Sequence, residues 1–198
     1  ISAYFIFIKR DELSLAAMRV SADQREITDV LEEIYGSLLV LSKDVEVAKA
    51  VFQRETDRII HSLQHDRWSG VEKSLEACAS ALARIEKKAE LDDVPMVSLI
   101  NEMYVRRNNF ARQHIVERLA DRGIILRVAG LHEWLYYVDF AVKRKLVQKA
   151  VLRNRIQKVI ESYPKRRFEK RIKRILAGSG LYKHRLVDVE KVFNNAKD

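Results

Sequence analysis

Two histidines, His61 and His65, have a spacing that suits metal chemistry in this chain of 198 residues. They are four positions apart, so in a helix both imidazole rings lie on one face and could act as a pair of metal ligands. Two ligands do not complete a site, and no nearby carboxylate or cysteine supplies a third. We therefore interpret both as surface residues near the end of a helix. The sequence predicts neither a metal site nor a cofactor.

A second candidate is the run RNNFARQH, from Arg107 to His114. It resembles the motif of HEPN-family ribonucleases, in which an arginine and a polar residue precede a histidine on a helix of an all-α bundle. The resemblance covers eight residues and implies that Arg107 and His114 cleave RNA, with two copies meeting across a dimer. The spacing is the longest that the motif allows, and in the shorter form the histidine falls where Arg112 stands. An HEPN-like ribonuclease is therefore the enzymatic alternative.

The run VERLADRG, residues 116–123, is similar to the ERxxD-type metal-binding stretch of phosphate-uptake regulators. That resemblance implies Glu117 and Asp121 as ligands. The family embeds the stretch in acidic helices, whereas Arg118 and Arg122 stand beside these two acids. Salt bridges along one helix explain the pattern better, so we predict no metal ligand here.

The sequence contains no glycine-rich phosphate loop, no Gly-x-Ser-x-Gly elbow and no His-Glu-x-x-His zinc signature. Its single cysteine, Cys78, excludes a disulfide within the chain. Cys78 lies on an apolar helix stripe, so we interpret it as a small buried hydrophobic residue and not as a nucleophile. A single cysteine favours a reducing intracellular compartment. The leading expectation is a protein that is not an enzyme.

Charge is the strongest signal. The chain has a formal net charge of +9, and residues 143–174 hold fourteen Lys or Arg but only two acids. Such a cluster repels itself unless something negative screens it, and nucleic-acid phosphates do so while releasing counterions. The sequence therefore predicts phosphate contacts from Lys143, Arg144, Lys145, Lys149, Arg153, Arg155, Lys165, Arg166, Arg167, Lys170, Arg171, Arg174, Lys183 and Arg185.

Other partners for the basic segment are an acidic protein and an anionic membrane surface. The aromatic residues from Trp134 to Phe140 run directly into the first three basic residues, a combination that favours peripheral membrane contact. No membrane span is predicted, because the opening run ISAYFIFIK is far shorter than the roughly 20 residues that a spanning helix needs. We also expect a protein partner or a homo-oligomer.

Six glycines and two prolines are too few for repeated tight turns, so the composition favours an all-α fold, a multi-helix bundle. Apolar residues at steps of three and four predict helices over residues 22–42 and 44–65 and a helix face over 71–85. A long helix is predicted over residues 96–122, ended by a glycine. A core helix is predicted over residues 123–142.

The basic segment is predicted to form one helix to Tyr163 and, after Pro164, a second to about Ala177. A Gly-Ser-Gly turn and a last helix over residues 181–194 then make a basic helical hairpin, with a helix-turn-helix as the DNA-binding variant. A linker at residues 91–95 divides the chain into residues 1–92, a helical partner-binding part, and residues 95–198, unless the two form one continuous domain.

The sequence therefore predicts a helical protein that binds nucleic acid through its basic carboxyl-terminal third. It would act as a subunit of a ribonucleoprotein or of a DNA-bound assembly, with RNA and DNA equally open. Phosphate contacts position a protein without giving sequence specificity. The alternatives are the HEPN-like ribonuclease and a non-catalytic scaffold that meets an acidic protein or an anionic membrane.

Overall fold

A computed structural model describes residues 22–100, 106, 108–130, 133, 136–137, 140–141, 144 and 166–195. The side chains of residues 22–25, 109, 166 and 167 lie outside that description. Three consecutive helices open the described chain: α1 over Ala22–Leu41, α2 over Val45–His65 and α3 over Trp68–Ala83. The three helices predicted for this half are confirmed.

Helix α1 supplies much of the core. Ile27, Leu31, Ile34 and Leu38 are fully buried, so the periodic apolar face predicts burial correctly. Helix α2 starts where the Asp44 side chain accepts a hydrogen bond of 3.0 Å from the backbone N–H of Val47. Capping by Asp44 defines the first turn of α2.

The helix predicted over residues 96–122 is wrong. Met96–Leu99 is a strand, β1, and two short helices follow, α4 over Asn109–Arg112 and α5 over Ile115–Ala120. The helix is interrupted between α4 and α5 because two consecutive residues, Gln113 and His114, take positive φ values of 48° and 54°. That conformation is unfavourable for a continuing right-handed helix.

The helix predicted over residues 123–142 is also wrong at its start, because Ile125–Val128 forms a second strand, β2. β1 and β2 pair in parallel, with Met96 opposite Ile125. Gly123 does end the preceding helix as predicted, with a φ of 71°. The described fold is mostly helical, as predicted, and adds one small parallel sheet that the sequence did not predict.

Helix α1 packs on β2 and runs antiparallel to it. A Cβ added at Gly36 would lie 3.1 Å from the carbonyl oxygen of Leu126, and Glu33, one turn earlier, lies 3.7 Å from Arg127. Asp29, earlier still, lines a cleft with Gly130, just beyond β2. Helix α1 therefore begins beyond the carboxyl ends of the strands.

The described carboxyl-terminal part starts with helix α6 over Arg166–Ala177, which confirms the second basic helix. Helix α6 packs against α1 and α3. The predicted last helix is shorter than expected: α7 covers only Val189–Asn195. Leu181 and Tyr182 do not continue a helix because both turn into the core, where they are 0% and 6% exposed.

One buried apolar cluster joins residues on both sides of the predicted linker at 91–95. It includes Leu75 of α3, Ile125 of β2 and Ile172 of α6. The division of the chain into two parts remains a prediction. What the structure shows is that α6 belongs to the same core as the amino-terminal helices.

Candidate nucleic-acid interface

The predicted phosphate-binding residues fall into three groups. Side chains are described for Arg144, Lys170, Arg171, Arg174, Lys183 and Arg185, and all six are exposed. Arg166 and Arg167 open helix α6, but their side chains lie outside the description. The others lie outside the described residues: Lys143, Lys145, Lys149, Arg153, Arg155 and Lys165.

Helix α6 has one apolar side and one basic side. Ile172 and Leu176, four positions apart, are fully buried. Phe168, one turn earlier, packs its ring edge-on against Trp68 of α3 at 5.2 Å between ring centroids. The apolar stripe that the sequence predicts is therefore the side by which α6 attaches to the protein.

The opposite side of α6 carries Lys170, Arg171 and Arg174, all exposed. Among the described contacts, Lys170 and Arg174 have no carboxylate partner. Arg171 Nε donates a hydrogen bond of 2.8 Å to Glu72 of α3. We call these three residues the α6 basic face.

One basic residue of α6 points inward. Lys173 is 3% exposed, and its Nζ lies 2.6 Å from Glu169 and 3.3 Å from Glu26 of α1. Burial lowers the pKa of Lys173, but the charges of Glu26 and Glu169 and the hydrogen bonds to them outweigh that effect and raise it. Lys173 is therefore a charged structural residue that is unavailable to a ligand.

Two further predicted residues are paired with acids of this chain. Lys183 donates a hydrogen bond of 2.7 Å to Asp92, which lowers the pKa of that carboxyl group. Arg144 pairs with Glu190 at 2.5 Å. In each pair both side chains are about half exposed or more, and exposed pairs of this kind contribute little to stability. A phosphate could therefore compete for either cation.

A polar cleft lies where β2 ends, and no sequence pattern predicted it. Its lining includes Glu33 of α1, Arg127, Glu133 and Arg185. Arg127 pairs with both Glu33 and Glu133. Burial raises the pKa of Glu33, although the charges of Arg127 and Arg185 oppose the shift. The sequence alone did not point to Glu33 because its partner Arg127 comes from a distant part of the chain.

The histidine of the HEPN-like motif does not continue the helix that precedes it. Asn108 caps α4 by accepting a hydrogen bond of 3.0 Å from the N–H of Ala111. His114 is exposed, has a φ of 54° and stands immediately before α5. Arg107 lies outside the described residues. Arg112, which occupies the position of the shorter motif, pairs instead with Glu32 of α1.

The histidine pair of α2 is stacked, with 4.3 Å between ring centroids. His65 Nδ1 lies 2.9 Å from the carbonyl oxygen of His61. Within the described part of the chain, no group of three or more His, Cys, Asp or Glu side chains could hold a metal ion. Cys78 is buried, and burial raises the pKa of its thiol to about 12, so it is not a ready nucleophile.

Comparison with known proteins adds no assignment. No family model, no curated protein and no solved structure matches the chain. Among the described helices, none combines the length and the apolar character needed to cross a membrane.

Proposed function

We propose that this chain is a helical nucleic-acid-binding protein that contacts phosphates through the α6 basic face and the neighbouring basic residues. The observation that carries the proposal is the attachment of α6. Its apolar side is fixed in the core while Lys170, Arg171 and Arg174 face outward. A fixed helix holds the backbone beneath its cations at constant spacing, so ligand binding has to order only the side chains.

The charge arrangement supports a polyanion as the partner. The described ion pairs of Arg144, Arg171 and Lys183 are partly or largely exposed, so each can exchange its carboxylate for a phosphate at small cost. Release of counterions from a nucleic acid then supplies a favourable term that a single carboxylate does not. The basic residues outside the described ranges add to the positive charge of the same stretch of sequence.

Contact with the phosphate backbone of the nucleic acid is favoured over recognition of its bases. Helix α7 is seven residues long, and Lys183 and Arg185 precede it on a non-helical segment. A recognition helix in a major groove would need its base-contacting side chains on the helix itself. We therefore propose phosphate binding without strong sequence preference, as in a subunit of a ribonucleoprotein or of a DNA-bound assembly.

The test is binding of labelled single-stranded RNA, duplex RNA and duplex DNA at several salt concentrations. The variant is Lys170→Ala/Arg171→Ala/Arg174→Ala. The matched control is Arg84→Ala/Lys88→Ala/Arg118→Ala, which removes the same charge from exposed positions elsewhere. We expect binding that weakens steeply with salt, is lost in the variant and persists in the control.

Equal losses in variant and control would show that only net charge matters, and the proposed surface would be wrong. No binding at roughly physiological salt would favour the scaffold alternative, which anionic vesicles and an acidic polypeptide would test next. Cleavage of the RNA that disappears in His114→Ala would support the ribonuclease instead.

A further inference from the structure

A row of three exposed side chains runs along helix α6 at steps of three positions: Phe168, Arg171 and Arg174. Residues three apart on a helix are neighbours on its surface. Each step rises about 4.5 Å along the helix axis, so the whole row spans about 9 Å. The row, which we call the α6 row, begins with an aromatic ring and continues with two cations.

Phe168 lies at the edge of the core and not inside it. Phe168 is 37% exposed, while its neighbour Trp68 is partly buried against the core. The two rings meet edge-on, with 5.2 Å between their centroids and 88° between their planes. Trp68 therefore fixes the position of the Phe168 ring from one side, and the exposed part of that ring remains open to a ligand.

Contacts with α3 fix the first two members of the α6 row. Trp68 and Glu72, four positions apart on α3, lie on one face of that helix. Phe168 packs on Trp68, and Arg171 Nε donates a hydrogen bond of 2.8 Å to Glu72. The Arg171 side chain nevertheless stays 51% exposed. The aromatic ring and the adjacent cation are therefore held next to each other by the same neighbouring helix.

We propose that the α6 row binds a single-stranded nucleic acid, with an unpaired base stacked on Phe168 and the adjoining phosphates on Arg171 and Arg174. The inference rests on the proposed function and names the form of nucleic acid that is bound. An aromatic ring that accepts a stacked base, set beside cations that follow the backbone, is the combination that binds single strands.

The stacking contact selects single strands because the bases of a duplex already stack on one another, so an aromatic side chain stacks on a base that is unpaired. Every base has a π face, so stacking on Phe168 tolerates any sequence. It does not read the hydrogen-bonding edge of a base. The α6 row therefore agrees with binding that has no strong sequence preference.

The test uses the full chain and two labelled strands of equal length and charge: a single-stranded RNA of mixed sequence, and an abasic strand with the same backbone but no bases. We expect the RNA to bind more tightly than the abasic strand. Phe168→Leu keeps an apolar contact with Trp68 but removes the aromatic ring. It should weaken RNA binding at least about five-fold, the loss that corresponds to one stacked base, and leave binding of the abasic strand unchanged.

Three further variants separate stacking from charge and from folding. Phe168→Tyr retains the ring and should bind both strands as the wild type does. Phe110→Leu, at an 82% exposed position of α4, is the matched control and should change neither affinity. Lys170→Ala/Arg171→Ala/Arg174→Ala should weaken binding of both strands, because it removes phosphate contacts.

The inference is wrong if Phe168→Leu binds the RNA as tightly as the wild type, weakens binding of both strands equally, or is no weaker than Phe168→Tyr. In each of these outcomes, loss of binding in the triple charge variant would still support the proposed function. No binding of either strand by the wild type would overturn the proposed function together with this inference. Binding of an acidic polypeptide in place of RNA, lost in Phe168→Leu, would assign the α6 row to a protein partner.

Discussion

Lys173 of α6 lies 3.3 Å from Glu26 of α1, and the two side chains are only 3% and 1% exposed. This contact, extended by Glu169 at 2.6 Å, places a cation between two buried carboxylates. It connects the basic helix to the first helix of the core by charge as well as by apolar packing.

We expect Lys173→Met to destabilise the protein by about 3–5 kcal/mol, because removal of one member of a buried ionic group leaves uncompensated charge. Urea unfolding followed by circular dichroism measures the change. Lys170→Met, on the exposed side of the same helix, is the control and should change stability by less than about 0.5 kcal/mol. A loss in Lys173→Met no larger than that in Lys170→Met would mean that Lys173 stabilises the protein only through its aliphatic chain.

The pH dependence of stability should show the effect of the raised pKa of Glu33. Because burial raises its pKa above the ordinary value of 4.5, the folded state disfavours ionisation. The stability that protonated Glu33 contributes is complete below the ordinary pKa and is lost as pH rises through the raised value. Glu33→Gln cannot ionise, so we expect this variant to gain stability relative to the wild type as pH rises above 4.5.

Urea unfolding at a series of pH values checks that expectation. Glu76→Gln, at an exposed position of α3, is the control and should follow the wild type throughout. If Glu33→Gln becomes less stable than the wild type as pH rises, the attraction between Glu33 and Arg127 exceeds the cost of burying the Glu33 carboxylate.

The thiol of Cys78 should be unreactive in the folded protein. Burial raises its pKa to about 12, so little thiolate exists near neutral pH, and no reagent reaches the side chain directly. We expect no reaction with a disulfide reagent at about pH 8 until denaturant is added. Ser80→Cys, two positions away and exposed, should react at once with one equivalent. Rapid labelling of the wild type would show that α3 opens locally.

Ile172→Ala should destabilise the protein by about 2–5 kcal/mol, because it leaves a cavity at a fully buried position of α6. Val192→Ala removes apolar surface from a residue that is 62% exposed and should change stability little. Urea midpoints with unchanged slopes would distinguish a loss of packing from a change in the unfolded state. A tolerated Ile172→Ala would mean that α6 is not part of the cooperative core.

Sequence periodicity predicted the helices that have one continuous apolar face. Ile27, Leu31, Ile34 and Leu38 recur over more than three turns, and Ile172 and Leu176 recur within α6, so local spacing alone determines which side is buried. The turn after α6 was predictable for a similar reason, since its two glycines interrupt the pattern.

The strands were not predictable in this way. Met96–Leu99 and Ile125–Val128 are four residues each, and an apolar run that short fits a helix or a strand equally well. What decides between them is pairing across nearly thirty residues, which no local pattern records. The ion pairs of Glu26 with Lys173 and of Glu33 with Arg127 were missed for the same reason, because the partners are distant in sequence.

The attachment of α6 makes ligand binding and folding one linked equilibrium. The α6 basic face exists as a fixed surface only while Ile172 and Leu176 stay in the core, so a ligand that needs this surface binds the folded chain and not the unfolded one. Such a ligand at about one hundred times its Kd would raise the free energy of unfolding by about 2.7 kcal/mol. Heat denaturation in the presence of candidate polyanions would therefore rank them by affinity without any label.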